Sequence, residues 1–134
     1  MRLEVGQRAS RTRKVSAEDI ELFARASGDT NPIHLDESYA ATTQFKHRIA
    51  HGMLTASFIS AVLASDLPGP GGIYLGQDLK FKAPVFIGDE ITTTVEVIKY
   101  REDRRIATCQ TTCTNQDGKV VIEGEAVILA PPGE

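Results

Sequence analysis

The segment from Gly52 to Ser65 limits the possible folds of this chain more than any other part of its sequence. It reads GMLTASFISAVLAS, contains no charged residue and has no polar face wide enough for solvent. A helix that is apolar all round belongs in the interior of a domain. Residues 66–72, rich in proline and glycine, end the segment. We therefore expect a central helix enclosed by the rest of the chain.

The C-terminal half reads as a series of β-strands that can enclose this helix. Residues 91–97 alternate apolar and polar side chains, and residues 115–118 have the composition of a hairpin turn. The predicted strands are Ile73–Lys82, a run around 91–97, Ile106–Thr114 and Val120–Leu129. Together these features predict an α+β fold in which an antiparallel sheet wraps around a long central helix.

The N-terminal half is predicted to be helical with a sharp break. Ser16 suits a helix N-cap, apolar residues follow at helical spacing, and Gly28 suits a left-handed helix end. Pro32 prevents the helix from continuing. A short second helix is expected after Asp36, to about Gln44.

Size and charge exclude several classes of function. The 134 residues fit one domain, and a net charge of −3 does not suit a broad nucleic-acid interface. No segment is long and apolar enough to cross a bilayer, and the charged start of the sequence lacks a signal-peptide core. We expect a cytoplasmic protein that binds neither nucleic acid nor membrane.

The two cysteines are expected to be free. Cys109 and Cys113 fall on one face of a predicted strand. At strand spacing they lie about 13 Å apart, too far for a disulfide. They suit a reducing cytoplasm, and they offer too few ligands for a metal site.

Asp29 and His34 are the first candidates for chemistry. The turn around Pro32 can fold the two side chains together, and a carboxylate and an imidazole that share a water form a general acid–base device. Taken alone, the spacing favours a simpler interpretation, with a turn residue at 29 and a loop histidine at 34. Asn31 can orient either side chain, although an Asx turn before Pro32 is slightly favoured.

His51 and Gly52 stand at the start of the central helix. A glycine there leaves the first N–H groups accessible, and these can stabilise a developing oxyanion. The sequence equally allows Gly52 to serve close packing and His51 to cap the helix.

Three further residues have a structural and a functional interpretation. Ser60 lies within the central helix, where a hydroxyl most often bonds an upstream carbonyl but can also line a substrate tunnel. Lys80 and Lys82 flank Phe81 and suit solvated positions, although they could meet the phosphates of a large substrate.

Several segments resemble the MaoC-like (R)-specific enoyl-CoA hydratases. Residues 27–36, SGDTNPIHLD, are similar to the family's hydratase motif, and residues 49–54, IAHGML, to the start of its central helix. Residues 73–85 and 88–89 are similar to its strands. The resemblance covers nearly the whole chain and implies one MaoC-like hydratase domain of the hotdog fold over residues 1–134.

The resemblance also implies a reaction. A trans-2-enoyl-CoA would be hydrated to an (R)-3-hydroxyacyl-CoA, with coenzyme A present only as part of the substrate and with no metal or other cofactor. Asp29 and His34 would activate the water and return a proton to C2, and the Gly52 N–H would bind the enolate oxygen.

The same resemblance implies which residues bind the substrate and that the protein forms a homodimer. The predicted substrate-binding residues are Asn31, Phe58, Ser60, Leu63 and Lys82, with Leu54 as a further neighbour of the acyl tunnel. A homodimer is implied, and exposed sheet edges give a physical reason for pairing.

Two alternatives to the hydratase remain. A 3-hydroxyacyl-[acyl-carrier-protein] dehydratase would use the same chemistry, so Asp29 and His34 do not discriminate against it. A non-catalytic acyl-thioester-binding domain would bind without turnover, which the intact pair argues against. The sequence does not reveal the acyl chain length or the pathway.

Overall fold

A computed structural model of the chain describes residues 3–132, so the two residues at each end of the predicted domain lie outside it. The described part contains four helices and six strands. In chain order they are β1 Arg8–Lys14, α1 Ala17–Ser27, α2 Pro32–Leu35, α3 Glu37–Ala40, α4 Gly52–Ser65, β2 Ile73–Gln77, β3 Lys80–Phe81, β4 Glu90–Arg101, β5 Ile106–Thr114 and β6 Val120–Leu129.

The six strands form one antiparallel sheet. Its order is β1-β4-β5-β6-β2. Strand β3 pairs with the N-terminal half of β6, and β2 pairs with the C-terminal half. Buried and partly exposed residues alternate along β4 and β5, so one face of the sheet is apolar and meets α4. Ile91, Val95 and Val97 on this face have no exposed surface. The predicted α+β architecture, a sheet around a central helix, is confirmed.

The central helix has the predicted bounds, but the described chain covers only one side of it. Ile59 and Val62 are fully buried against the sheet. Met53 is 55% exposed, and Ser60 and Ala64 are also exposed. A single curved sheet can shield only one side of a helix, which leaves an apolar face uncovered. No helix in residues 3–132 has the length and apolar character needed to span a membrane.

Three further elements differ from the prediction. Strand β1 was not predicted, because its sequence RASRTRK lacks apolar alternation; it is an edge strand held by pairing with β4 and by the Arg11–Asp66 ion pair. The predicted strand from residue 73 to 82 is interrupted at Asp78, whose N–H and side chain bond the backbone of Glu125. Helix α3 ends at Ala40, earlier than predicted.

The predicted state of the cysteines is confirmed. Cys109 and Cys113 are both buried, and neither forms a disulfide. Burial raises the pKa of Cys109 to about 11 and also raises that of Cys113. Both thiols are therefore protonated and unreactive at neutral pH.

Gly124 of β6 packs against the backbone at Asp78, and its substitution is expected to destabilise the fold. A Cβ there would lie 2.0 Å from the Asp78 carbonyl oxygen, so the two backbone segments would have to separate. We expect Gly124→Ala to lower the free energy of unfolding by about 3 kcal/mol, the upper part of the range for overpacking. Urea unfolding measures the change.

Gly76→Ala is the matched control in the same sheet, because nothing lies within 4 Å of its Cβ position. Equal stability of the two variants would contradict the steric explanation.

Candidate active site

The break after α1 is built from local hydrogen bonds. Gly28 ends α1 in the left-handed conformation, with φ 81°, and donates its N–H to Ala24. The Asn31 N–H donates to Asp29 Oδ1 at 3.2 Å, and Asn31 Oδ1 accepts from the Ile33 N–H as the N-cap of α2. The Asx-turn interpretation of Asn31 is therefore correct.

This turn brings Asp29 and His34 together. Asp29 Oδ2 lies 4.0 Å from His34 Nε2, a gap too long for a direct hydrogen bond. A water between these two atoms can reach both. The Asp29 side chain is 49% exposed and that of His34 is 11% exposed, so the pair lies at the boundary between solvent and core.

The hydrogen bonds of His34 define which of its nitrogens can accept a proton. Its Nδ1 lies 2.8 Å from the carbonyl oxygen of Ile49. A carbonyl only accepts, so Nδ1 carries the hydrogen, and the neutral ring presents Nε2 as an acceptor towards Asp29.

The surroundings of His34 favour its neutral form. Burial lowers the pKa of His34, the hydrogen bond to Ile49 opposes this, the neighbouring imidazole of His51 lowers the pKa again, and Asp29 raises it. The net result is a pKa below the ordinary 6.5. At neutral pH His34 is therefore a base with a free lone pair.

His51 lies at the N-cap position of α4, but its side chain makes no capping hydrogen bond. Its Nε2 instead lies 2.9 Å from the backbone carbonyl oxygen of Asp29. Its ring stacks on His34, with centroids 3.9 Å apart and planes inclined by 28°. The expectation that the His51 side chain could cap the helix is wrong, because the bond from Nε2 to Asp29 fixes the ring and its acceptor, Nδ1, receives no hydrogen bond from the N–H groups of the first turn.

Gly52, the first residue of α4, opens onto the cavity beside the pair. The cavity has a volume of ≈ 540 Å³, and its lining includes Asp29, His34, Gly52 and Lys82. A Cβ on Gly52 would lie 2.6 Å from Phe81 Cε1, so a side chain here would narrow the cavity. The backbone of the first helical turn is accessible because residue 52 is glycine.

The other predicted substrate-binding residues line more than one cavity. Lys82 lines the main cavity and pairs with Glu123 at 3.4 Å. Ser60 and Leu63 lie further along α4, where both line a neighbouring cavity of ≈ 120 Å³.

Phe58 borders none of the described cavities beside α4, and its ring faces the Arg13 guanidinium at 5.3 Å. Its predicted role in the acyl tunnel stays a prediction.

The sequence did not predict two residues that pack around this site, Arg48 and Thr55. The Arg48 Nε–H donates to the carbonyl oxygen of His34 at 2.7 Å. Thr55 is fully buried in the cavity wall, and its hydroxyl has no hydrogen-bond partner among the described residues. No sequence pattern distinguishes Arg48 or Thr55. Their place at the site follows only from the residues that lie near them in the folded chain.

Asp29, His34 and His51 place potential metal donor atoms within 4.8 Å of one another. The lone pairs of an imidazole lie in the plane of its ring, so two stacked rings direct their lone pairs side by side instead of towards one ion. One nitrogen of each ring also bonds a backbone carbonyl. This arrangement fits a shared water better than a coordinated metal.

Comparison with known proteins gives a consistent result. Residues 2–119 match the MaoC like domain. The (R)-specific enoyl-CoA hydratases of Rhodospirillum rubrum and Aeromonas caviae are 57% and 51% identical to this chain, over 96% of it and over 89% and 96% of the relatives. The unliganded R-hydratase PhaJ1 from Pseudomonas aeruginosa has a TM-score of 0.94 at 52% identity, covering 98% of this chain and 84% of that structure. The chain thus belongs to the family of MaoC-like domains and has their hotdog fold.

Proposed function

We propose that this protein is an (R)-specific enoyl-CoA hydratase, which converts a trans-2-enoyl-CoA and water into an (R)-3-hydroxyacyl-CoA. Relatives with this name are more than half identical over nearly the whole chain. The observation that carries the proposal is the pair of facing acceptors, Asp29 Oδ2 and His34 Nε2, 4.0 Å apart at a cavity. Two acceptors at this separation can hold one water by both of its hydrogens.

A water held in this way is oriented for attack. Its two O–H groups point to Asp29 and His34, which leaves an oxygen lone pair free to form the bond to C3. One water proton passes to the pair as the C2–C3 π electrons move towards the thioester, and the pair then returns a proton to C2. We assign these proton transfers to the two residues together, because both face the position of the same water.

The negative charge of the transition state develops on the thioester oxygen. The first N–H groups of a helix have no partner within the helix and lie at the positive end of its dipole. We assign the N–H of Gly52 to this oxygen, since donors already in place where charge develops contribute strongly to catalysis.

The substrate is assigned to the cavities along α4. Lys82 supplies positive charge on the wall of the main cavity, where it suits the phosphate-bearing part of the substrate. Ser60 and Leu63 line the smaller cavity further along the helix, which suits an acyl chain. Asn31 is assigned to holding the loop, because its side-chain oxygen is engaged in the turn.

We also propose a homodimer. Strand β2 lies at the edge of the sheet, and Ile73 and Leu75 on it are 54% and 53% exposed. Met53 lies nearby on the uncovered side of α4, where Met53 and Leu75 line one groove. A second copy would cover this apolar surface. Sedimentation equilibrium tests the proposal, because a mass of one chain, 14.6 kDa, would refute it.

The cytoplasm is the proposed location. Both thiols are buried and neither forms a disulfide, which suits a reducing compartment. Fractionation of the source cells with an antibody to the protein tests this, and recovery outside the cytoplasmic fraction would refute it.

The test of the reaction is hydration of crotonyl-CoA by the purified protein. We expect loss of the enoyl absorbance, with an (R)-3-hydroxy product identified by chiral chromatography. Turnover of carrier-protein thioesters alone would replace the proposal with a dehydratase. Tight binding of enoyl-CoA without turnover would replace it with a binding domain.

A further inference from the structure

His51 is a buried ionisable residue, next to the proposed catalytic pair, that the proposed mechanism does not use. It is 2% exposed, and its Nδ1 has no hydrogen-bond partner among the described residues. An unpaired buried acceptor costs free energy, so an apolar side chain would fill this space at lower cost if packing were the only requirement. The contacts of the ring indicate what the imidazole contributes.

The first contact restrains Asp29. The carbonyl oxygen of Asp29 lies 2.9 Å from His51 Nε2, and a carbonyl only accepts, so Nε2 carries the ring hydrogen. This bond ties the loop after α1 to the first turn of α4. It therefore sets the position of Asp29 relative to Gly52, the residue next to His51.

The second contact restrains His34. The two imidazoles stack at 3.9 Å, and Phe23 packs against His51 from another side at 4.9 Å. Because the His51 ring is itself packed in place, it can fix the orientation of the His34 imidazole. The orientation of that ring sets the direction of the Nε2 lone pair.

The stack also opposes a positive charge on His34. His51 lowers the pKa of His34, in addition to the larger effect of burial. The other charged groups that face His34 are Asp29 across the water gap, Arg48 at the His34 carbonyl and Lys82 in the cavity wall. Among the histidine's described neighbours, His51 is the one that touches its ring face.

We propose that His51 is a positioning residue for the hydration reaction, holding Asp29 through its Nε2–H and holding the plane of the His34 ring through the stack. This inference rests on the proposed function. His51 acts on the two residues that are assigned to hold the water.

Two substitutions separate the two contacts. His51→Gln retains an N–H donor near the position of Nε2 but removes the ring, whereas His51→Phe retains a ring but removes the donor. We expect kcat to fall about 3-fold in His51→Gln, which loses the stack on His34, and about 10- to 100-fold in His51→Phe, which releases Asp29, because misplacing a catalytic group is costly. KM should change little in either variant.

Both substitutions should raise the pKa of His34. Loss of the neighbouring imidazole removes a group that disfavours the charged form, so the acidic limb of the kcat profile should move to higher pH. The same shift should appear when the His34 ring is titrated by NMR, a readout that does not require turnover.

His47 provides the matched control, because its side chain is 75% exposed and pairs with Glu37 away from the site. His47→Gln and His47→Phe should leave kcat and the acidic limb unchanged. His51→Asn, which is too short to reach Asp29, replaces His51→Phe if the latter does not fold.

The outcomes are distinguishable. An unchanged His34 titration together with wild-type kcat in His51→Phe or His51→Asn overturns the positioning role. A second outcome is an equal loss of kcat in His51→Gln and His51→Phe, with no shift in the acidic limb of the pH profile. His51 would then be a packing residue, and this result also overturns the positioning role. Wild-type protein that fails to hydrate enoyl-CoA overturns the proposed function instead, and the NMR titration then decides the His51 question by itself.

Discussion

Asp29→Asn is expected to lower kcat for enoyl-CoA hydration by about 10²-fold or more, the range of a lost general acid–base group. The substitution is nearly isosteric, and an asparagine oxygen can still accept from the Asn31 N–H, so the turn should persist. The other carboxylate oxygen is replaced by an NH₂ group facing His34 Nε2. A donor then stands where the water needs an acceptor. Steady-state kinetics with crotonyl-CoA measure the loss.

Asp117→Asn in the β5–β6 turn is the matched control, because this exposed aspartate lies outside the cavity and makes the same change of charge. It should retain wild-type kcat. A wild-type rate in Asp29→Asn would remove Asp29 from the mechanism.

His34→Ala is expected to lower kcat by about 10²-fold or more, because the second acceptor for the water is lost. The side chain is largely buried and stacks on His51, so some stability should be lost with it. Circular dichroism and thermal unfolding must therefore accompany the kinetics. A folded variant with a reduced rate is the expected result.

The exposed residue His47 provides the control for His34→Ala. His47→Ala removes the same ring from the surface and should change neither the rate nor the melting temperature appreciably. A folded His34→Ala protein with nearly normal turnover would exclude His34 as a proton carrier. Combining Asp29→Asn with His34→Ala should cost less than the product of the single losses, since both residues hold one water.

Local chemistry along the chain was sufficient to predict α1 and α4, although not the short helix α2 that carries His34. The absence of charge from Gly52 to Ser65 predicted a central helix with the observed bounds. Ser16 and Gly28 marked the ends of α1, because capping depends on residues adjacent in sequence. The turn at Pro32 allowed Asp29 and His34 to meet, as the structure confirms.

Contacts between distant segments were decided by packing, and no short-range pattern encodes them. Strand β1 exists because β4 offers it an open edge, although its own sequence has no strand alternation. Helix α4 is apolar all round, yet one sheet can cover only one side of it. His51 suited a helix cap by its position, but the bond from its Nε2 to the Asp29 carbonyl fixes the ring with Nδ1 away from the helical N–H groups. Hydrogen bonding and stacking require atoms to be close in space, and closeness between residues 29, 34 and 51 arises only when the loops close on α4.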